Sequence, residues 1–159
     1  MYVTSLLAGR DDSMNRNQII NPTWTEIKST IFALDGRDHR TIMMLKEYEE
    51  EERKGDVKES MEIAGGGRNG LYICSFYSEE EYYEWYLYDP SKSDENTIEI
   101  ARTDPTMCSP SDCFDRDTIL VVAETYARYG ERDKSFHWAT WDFANRSSPR
   151  LIVESPSVE

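Results

Sequence analysis

The stretch GLYICSFYSEEEYYEWYLYDPSKSDENTIEIAR occupies residues 70–102 and contains three runs rich in aromatic and β-branched side chains. The runs cover residues 71–77, 82–88 and 97–101, and two polar segments separate them. Aromatic and β-branched residues suit a pleated, half-buried surface. The pattern therefore predicts three strands of an antiparallel meander at the centre of the fold.

The alternation of side chains along these runs predicts one apolar face and one mixed face, because successive side chains of a strand point to opposite sides. In the second run the apolar side comprises Tyr83, Trp85 and Leu87. The other side carries Tyr82, Glu84 and Tyr86. A face that mixes tyrosine with glutamate is an unusual solvent surface, and we expect it to contact a partner.

Two helices are predicted on either side of this stretch. The first opens at Asn21-Pro22-Thr23, where Asn21 is a good N-cap and Thr23 with Glu26 forms an alternative capping box, and Gly36 ends it. The second begins after Asp115 and runs to about residue 129, before Gly130. The helices should bury their apolar stripes on one face of a sheet that contains Met61, Ile63 and Ile98. The stripes are Trp24, Ile27, Ile31 and Leu34, then Ile119, Val122, Ala123 and Tyr126.

The remaining segments complete the predicted domain. Strands are expected at residues 2–7, 41–46 and 57–64, and residues 135–143 add a final strand or pack over the helix ends. Polar loops are expected at residues 9–17 and 104–112, the second with a short edge strand near Met107. The charged run 47–54 reads as an exposed hairpin extension, and the glycine run 65–70 as a turn rather than a phosphate cradle. Residues 1–143 should form one domain, and residues 144–159 a flexible tail.

The composition indicates an acidic protein with enough aromatic content to fold. The chain has 31 acidic and 18 basic residues, a formal net charge of −13, and 12% aromatic residues. Such a charge repels nucleic acid, whose phosphates need lysine and arginine. It suits a basic protein partner, or it keeps the protein soluble.

Catalytic and metal-binding patterns are weak. The three cysteines Cys74, Cys108 and Cys113 form no CxxC pair, and the spacing of His39 and His137 matches no catalytic or metal motif. A nucleophile pair of Cys113 or Cys74 with His137 has no supporting signature. We therefore expect no enzyme, no metal and no cofactor. The first residues lack a signal-peptide pattern and no run suits a membrane helix, so a cytoplasmic location is expected.

The order of several landmarks along the chain resembles a known family. These are an N-terminal strand, the Asn21-Pro22-Thr23-Trp24 helix start, Leu34-Asp35-Gly36, the Gly65-Gly66-Gly67 run, Asp89-Pro90-Ser91 and a late helix ending at Tyr129-Gly130. The chain resembles the first family of the Imm series over residues 2–141. These are bacterial immunity proteins that neutralise polymorphic and contact-dependent toxins. The acidic insert at residues 47–54 departs from the family pattern.

The resemblance implies the fold and the partner. It implies a single α+β domain, with an antiparallel β-sheet and two main helices packed on one face, and no enzymatic activity. The implied partner is a cognate toxin domain of nuclease or deaminase type, with no direct contact to nucleic acid or membrane. A toxin that acts on nucleic acid needs a basic groove, which an acidic surface bearing tyrosines would complement.

The predicted binding surface centres on the second run and the turn before it. Its centre comprises Glu79, Glu80, Glu81, Tyr82, Glu84 and Tyr86. Its rim comprises Glu49, Glu50, Glu51 and Glu52. The alternatives are that Glu79–Glu81 is a solvated turn with both tyrosines packed under the second helix or a loop, or that the interface is the loop at residues 104–112. A further alternative is an acidic adaptor or DNA mimic that inhibits another basic protein.

Overall fold

A computed structural model describes residues 1–9, 17–102, 105–144 and 147–157. In these ranges the chain forms ten strands, two α-helices and two short 3-10 turns. The strands are β1 Ser5–Gly9, β2 Asn17–Ile20, β3 Thr41–Glu47, β4 Val57–Gly65, β5 Tyr72–Ser78, β6 Glu84–Tyr88, β7 Ile98–Ile100, β8 Thr106–Cys108, β9 His137–Asp142 and β10 Arg150–Glu154. The helices are α1 Trp24–Phe32 and α2 Arg116–Tyr129, and the 3-10 turns are Glu51–Arg53 and Pro110–Asp112.

Eight strands form one antiparallel sheet in the order β10-β9-β6-β5-β4-β3-β1-β2. Strands β3 to β6 follow one another as a meander, and β9 occupies the outer edge of β6. Strands β7 and β8 form a separate two-stranded sheet. The fold is therefore the predicted α+β class with an antiparallel sheet and two helices.

The helices and one face of the sheet enclose the main core. Across the sheet, cross-strand pairing places Leu6, Met44, Met61, Phe76 and Trp85 in one row under the helices. The helical stripes meet this row as predicted, with seven of their eight residues buried and Trp24 partly buried. The buried members are Ile27, Ile31, Leu34, Ile119, Val122, Ala123 and Tyr126.

The ends of the helices show which capping signals the chain uses. Thr23, not Asn21, is the N-cap of α1, and it forms the reciprocal capping box with Glu26. Asp115 caps α2 by accepting a hydrogen bond from the Thr118 backbone N–H at 2.8 Å. At Gly130 the backbone is left-handed, with φ of 72°, and a Cβ there would lie 2.5 Å from the Tyr2 ring. Any larger residue at this helix end would therefore displace the tyrosine.

The third aromatic run was predicted to pair within the meander, and this prediction was wrong. Residues 97–101 do form a strand, β7, but it pairs with β8 and leaves the meander. Ile100 is buried in a second small cluster with Cys108 and Cys113, and Ile98 packs against that cluster instead of the main core. Three residues of β9, His137, Trp138 and Ala139, pair with β6 instead.

The termini of the sheet differ from the sequence prediction. The first strand covers Ser5–Gly9 rather than residues 2–7, and Asn17–Ile20 forms β2 where a loop end was expected. The rest of that loop, residues 10–16, lies outside the described residues. Part of the expected C-terminal tail, Arg150–Glu154, is an edge strand whose five residues all pair with β9. Leu151, Ile152 and Val153 have a high propensity for strands, but the polar residues on either side of them led to the prediction of a tail.

Candidate functional site

The sheet face opposite the helices carries large side chains that remain partly open to solvent. Tyr77 on β5, Tyr86 on β6, Trp141 on β9 and both Leu151 and Val153 on β10 lie on this open face, each with more than a third of its surface exposed. Strands β7 and β8 pack against Leu71 and Ile73, at one end of it. A group of neighbouring exposed apolar side chains marks an interaction surface, whereas scattered ones do not.

A groove runs along this face between β6 and β9. It has a volume of about 530 Å³, and we call it the β6–β9 groove. Its lining comprises Tyr82, Tyr83, Glu84, Tyr86, Thr140, Trp141, Asp142, Phe143 and Ala144. The Thr140 hydroxyl donates a hydrogen bond to the Glu84 carbonyl oxygen at 2.8 Å, which fixes the two strands against each other. The rings of Trp141 and Phe143 form one wall, with centroids 6.5 Å apart.

Tyr82 holds an unusual backbone conformation at the entrance of β6. Its φ is 58°, in the left-handed region, and 84% of its surface is exposed. A tyrosine in this region is uncommon, because its Cβ crowds the backbone. The conformation breaks the alternation just before β6 begins. Tyr83 lines the groove and is 40% exposed, and it is not part of the main core that contains Trp85 and Leu87.

The structure places the predicted residues Glu84 and Tyr86 in the groove, on the face opposite Trp85. Burial, followed by the charge and hydrogen bond of Glu84, raises the pKa of Tyr86 above its ordinary value. The Asp142 carboxylate accepts a hydrogen bond from the Ala144 backbone N–H at 2.9 Å. Among the described basic side chains, none forms an ion pair with Glu84 or Asp142. Arg102, on the same face, pairs instead with Glu62 at 2.6 Å.

The three predicted glutamates of the β5–β6 turn are already paired with cations of this chain. Glu79 accepts hydrogen bonds from the Tyr48 hydroxyl at 2.6 Å and from Arg53 at 2.9 Å, and these bonds lower its pKa. Glu80 lies 3.9 Å from Lys58. Glu81 pairs at 3.0 Å with Arg132, a side chain that is only 14% exposed. These carboxylates therefore hold neighbouring elements together.

The predicted rim lies in the β3–β4 connection, at the same end of the sheet. Glu49 pairs with Lys46 at 2.8 Å and Glu51 lies 3.7 Å from Lys54, while Glu50 and Glu52 are exposed in or beside the 3-10 turn. Arg53 closes this turn and reaches Glu79. Through Arg53 the rim run and the β5–β6 turn lie side by side.

Trp141 and Phe143 were not among the predicted site residues. The sequence carried a signal for Trp141, because Trp138 and Trp141 are three residues apart in HWATWDF. On a strand this spacing puts them on opposite faces. Trp138 is indeed buried in the main core, whereas Trp141 is 45% exposed. The signal was not used because the sequence left open whether residues 135–143 form a strand or pack over the ends of the helices.

The thiols lie in surroundings that disfavour nucleophilic chemistry. Cys74, Cys108 and Cys113 are all buried and free. Burial is the main cause that raises the pKa of Cys113 to about 11, and its thiol donates to the Ser109 carbonyl oxygen at 3.4 Å. The thiolate, which is the nucleophile, is scarce at neutral pH under these conditions. Within the described ranges no cluster of three or more histidine, cysteine, aspartate or glutamate side chains is placed to hold a metal ion.

The α+β fold, the open sheet face and the β6–β9 groove define a domain suited to binding another protein. The family model described as Immunity protein Imm1 matches residues 15–140 of the chain. The chain belongs to this family of immunity proteins, whose partner is a toxin protein, and the resemblance read from its landmarks is confirmed. No curated protein matches the chain. No helix in the described part is long and apolar enough to cross a membrane.

Proposed function

We propose that this immunity protein binds a toxin that acts on nucleic acid, a nuclease or a deaminase, and covers its basic active-site surface. It acts in the cytoplasm as part of a polymorphic or contact-dependent toxin system. The observation that carries the proposal is the open sheet face, where exposed aromatic rings lie beside carboxylates with no described cationic partner. The net charge of −13 complements a basic substrate groove.

The proposed interface has its centre at Tyr82, Glu84 and Tyr86. The paired turn Glu79–Glu81 borders this centre, and the run Glu49–Glu52 lies at the rim. Rigid aromatic side chains at the middle of an interface tend to dominate its affinity. Charges at the rim mainly set the association rate and its dependence on salt.

Two variants separate these contributions when their kinetics are measured against the cognate toxin domain, which is sought first in the product of the adjacent gene. Tyr86→Ala should leave the association rate unchanged and speed dissociation, at a cost of about 2 kcal/mol or more in binding free energy if Tyr86 is an anchor. Reversal of Glu49, Glu50, Glu51 and Glu52 to lysine should lower the association rate instead. That effect should fade with added salt, since the Debye length is only about 10 Å at 0.1 M.

A matched control comes from Tyr129, an exposed tyrosine at the end of α2 and away from the sheet face. Tyr129→Ala should leave both rates as in the wild type. Unchanged kinetics in both interface variants, with wild-type binding intact, would move the interface elsewhere, and the loop at residues 104–112 is then the next to test.

Two other functions make different forecasts. For a small enzyme, soluble and folded Cys113→Ser or His137→Ala would lose protection against the toxin, whereas we expect both to protect cells fully. For an acidic adaptor or DNA mimic of another basic protein, the wild-type protein would not bind the neighbouring toxin, and would not protect cells that express it. Purification with the co-encoded neighbour separates these readings.

A further inference from the structure

We infer that the β6–β9 groove receives an arginine side chain of the toxin. This inference rests on the proposed function and adds the chemical group that the groove recognises. Its aromatic walls are Tyr82, Tyr86, Trp141 and Phe143, and its carboxylates are Glu84 and Asp142.

The groove offers the two components that hold a planar cation, and none of its described lining residues is a cation. An aromatic face attracts a guanidinium through its quadrupole, and a carboxylate accepts hydrogen bonds from the guanidinium edge. Glu84 and Asp142 form no ion pair with any described basic residue, so an incoming cation need not displace one. The same carboxylates would repel a phosphate, which excludes nucleic acid as the occupant.

The chain itself shows how this combination is filled. Arg132 lies 4.2 Å from the Trp85 ring and pairs with Glu81 and Glu154. Arg53 lies 3.7 Å from the Tyr48 ring and pairs with Glu79. In both places an arginine lies against an aromatic ring while carboxylates hold its edge. The β6–β9 groove combines rings and carboxylates in the same way, and no arginine is among its described lining residues.

Arginine fits this site better than lysine. The planar guanidinium stacks on rings and presents several donors in one plane, whereas the ammonium of lysine is a strongly hydrated point charge. The cation contacts of this chain follow that difference. Arg53, Arg116 and Arg132 lie 3.7 to 4.3 Å from their nearest ring centroids. The lysine nitrogens of Lys28, Lys46 and Lys92 lie 4.6 to 5.9 Å away.

One wall of the groove lies outside the family match. The match ends at residue 140, and Trp141 and Phe143 follow it directly. Tyr82, at the edge of the groove, also has an exposed ring, and its left-handed backbone conformation is unfavourable for tyrosine. Neither feature serves the core, because the rings of Trp141, Phe143 and Tyr82 are all exposed and lie outside the core cluster. A role in binding accounts for both.

The first test measures affinity for the neighbouring toxin domain. Trp141→Ala should weaken binding about tenfold or more, as expected for an aromatic hot spot. Trp141→Phe should recover most of that loss, because it keeps an aromatic face, and Glu84→Gln should weaken binding while leaving the rings in place. Tyr129→Ala is the matched control and should change the affinity less than about twofold. Thermal unfolding and circular dichroism establish that each variant is folded.

A double-mutant cycle identifies the occupant. Each arginine on the toxin surface is replaced by glutamine and measured against wild type and Trp141→Ala. One arginine should couple strongly to Trp141, so that its loss matters little once Trp141 is gone. If Trp141→Ala binds like wild type, or if no toxin arginine couples to Trp141, the inference is wrong. The proposed function would survive that result, because wild-type binding would remain.

A second test does not depend on the toxin. The peptides acetyl-Gly-Arg-Gly-amide, its lysine analogue and its uncharged citrulline analogue are titrated into the protein, and the indole N–H signals of the four tryptophans are followed by NMR. The arginine peptide should shift the Trp141 signal most, and the citrulline peptide should leave it in place. An equal response to citrulline or lysine, or no response of Trp141, overturns the assignment of arginine. If the wild-type protein fails to bind the toxin while this titration succeeds, the proposed function fails and the groove assignment stands.

Discussion

Strand β6 carries aromatic and acidic neighbours on both of its faces, and the two clusters differ in one component. On the helix side Trp85 lies under Arg132, which also binds Glu81 and Glu154. On the open side Tyr86 and Glu84 face Trp141 across the β6–β9 groove, and none of the described cations completes the set. The first cluster is filled by the chain's own arginine, and the second is open.

This difference shows why residue type alone identifies an interface poorly. Glu79 and Glu81 have the same charge as Glu84 and lie within a few residues of it. The first two bind Arg53 and Arg132, so a partner would have to compete with an existing ion pair. Desolvating a charge that is already paired gains little, whereas an unpaired carboxylate beside a ring can gain a full charge-assisted contact. We therefore expect specificity to concentrate at the open cluster.

The largest predicted effect is on the free energy of unfolding, and it should differ between the two faces of β6. Leu87→Ala removes a fully buried side chain from the helix side of β6 and should cost about 2–5 kcal/mol of unfolding free energy. Tyr86→Ala, its neighbour on the open face, should cost less than about 1 kcal/mol. Chemical denaturation of both variants checks this. Equal losses would mean that the open face contributes to the core, and the contrast between the faces would fail.

A smaller effect concerns the cation that fills the first cluster. Arg132→Ala removes contacts with Trp85 and Phe76 and leaves Glu81 and Glu154 without their partner. We expect a loss of about 1–3 kcal/mol, below the value for a buried pair because both glutamates are partly exposed. The matched control is Arg128→Ala, whose pair with Glu124 on the surface of α2 should contribute only about 0.3–0.5 kcal/mol. A loss no greater than that of the control would show that Arg132 is not structural.

The predictable part of the fold was set by local signals. The capping box at Thr23, the stripe of α2 and the end at Gly130 are properties of short segments, and the structure contains all three. The strand edges depended on which strands pair. Nothing in residues 97–101 says that β9, from far along the chain, will take the place beside β6. The weak strand Arg150–Glu154 likewise forms because β9 offers it an edge.

The candidate site could be predicted only in part, for the same reason. Alternation along β6 correctly grouped Glu84 with Tyr86, since this is a property of one strand. It did not extend to Tyr83, which lies before the first residue of β6, follows the left-handed backbone of Tyr82 and stays outside the core. Glu79, Glu80 and Glu81 pair with cations from distant elements, and Trp141 also comes from a distant strand. These contacts could therefore be identified only from the structure.

The smallest predicted effect concerns Glu79 in the β5–β6 turn and tests whether its contacts with Tyr48 and Arg53 stabilise the fold. The hydrogen bonds from Tyr48 and then Arg53 hold the pKa of Glu79 below its ordinary value of about 4.3 in an unfolded chain. Folding therefore favours the ionised form. Its contribution to stability is present above pH 4.3 and disappears as the pH falls through the lower pKa of the folded state. Glu79→Gln should be slightly less stable than wild type at neutral pH, and the difference should vanish in acid.

Tyr48→Phe removes the hydrogen bond that contributes most to the low pKa of Glu79. This variant should therefore raise the pKa of Glu79 in an NMR titration of its carboxyl carbon. If that pKa does not move, Tyr48 does not hold the turn glutamate, and the ion pair with Arg53 alone accounts for its low pKa.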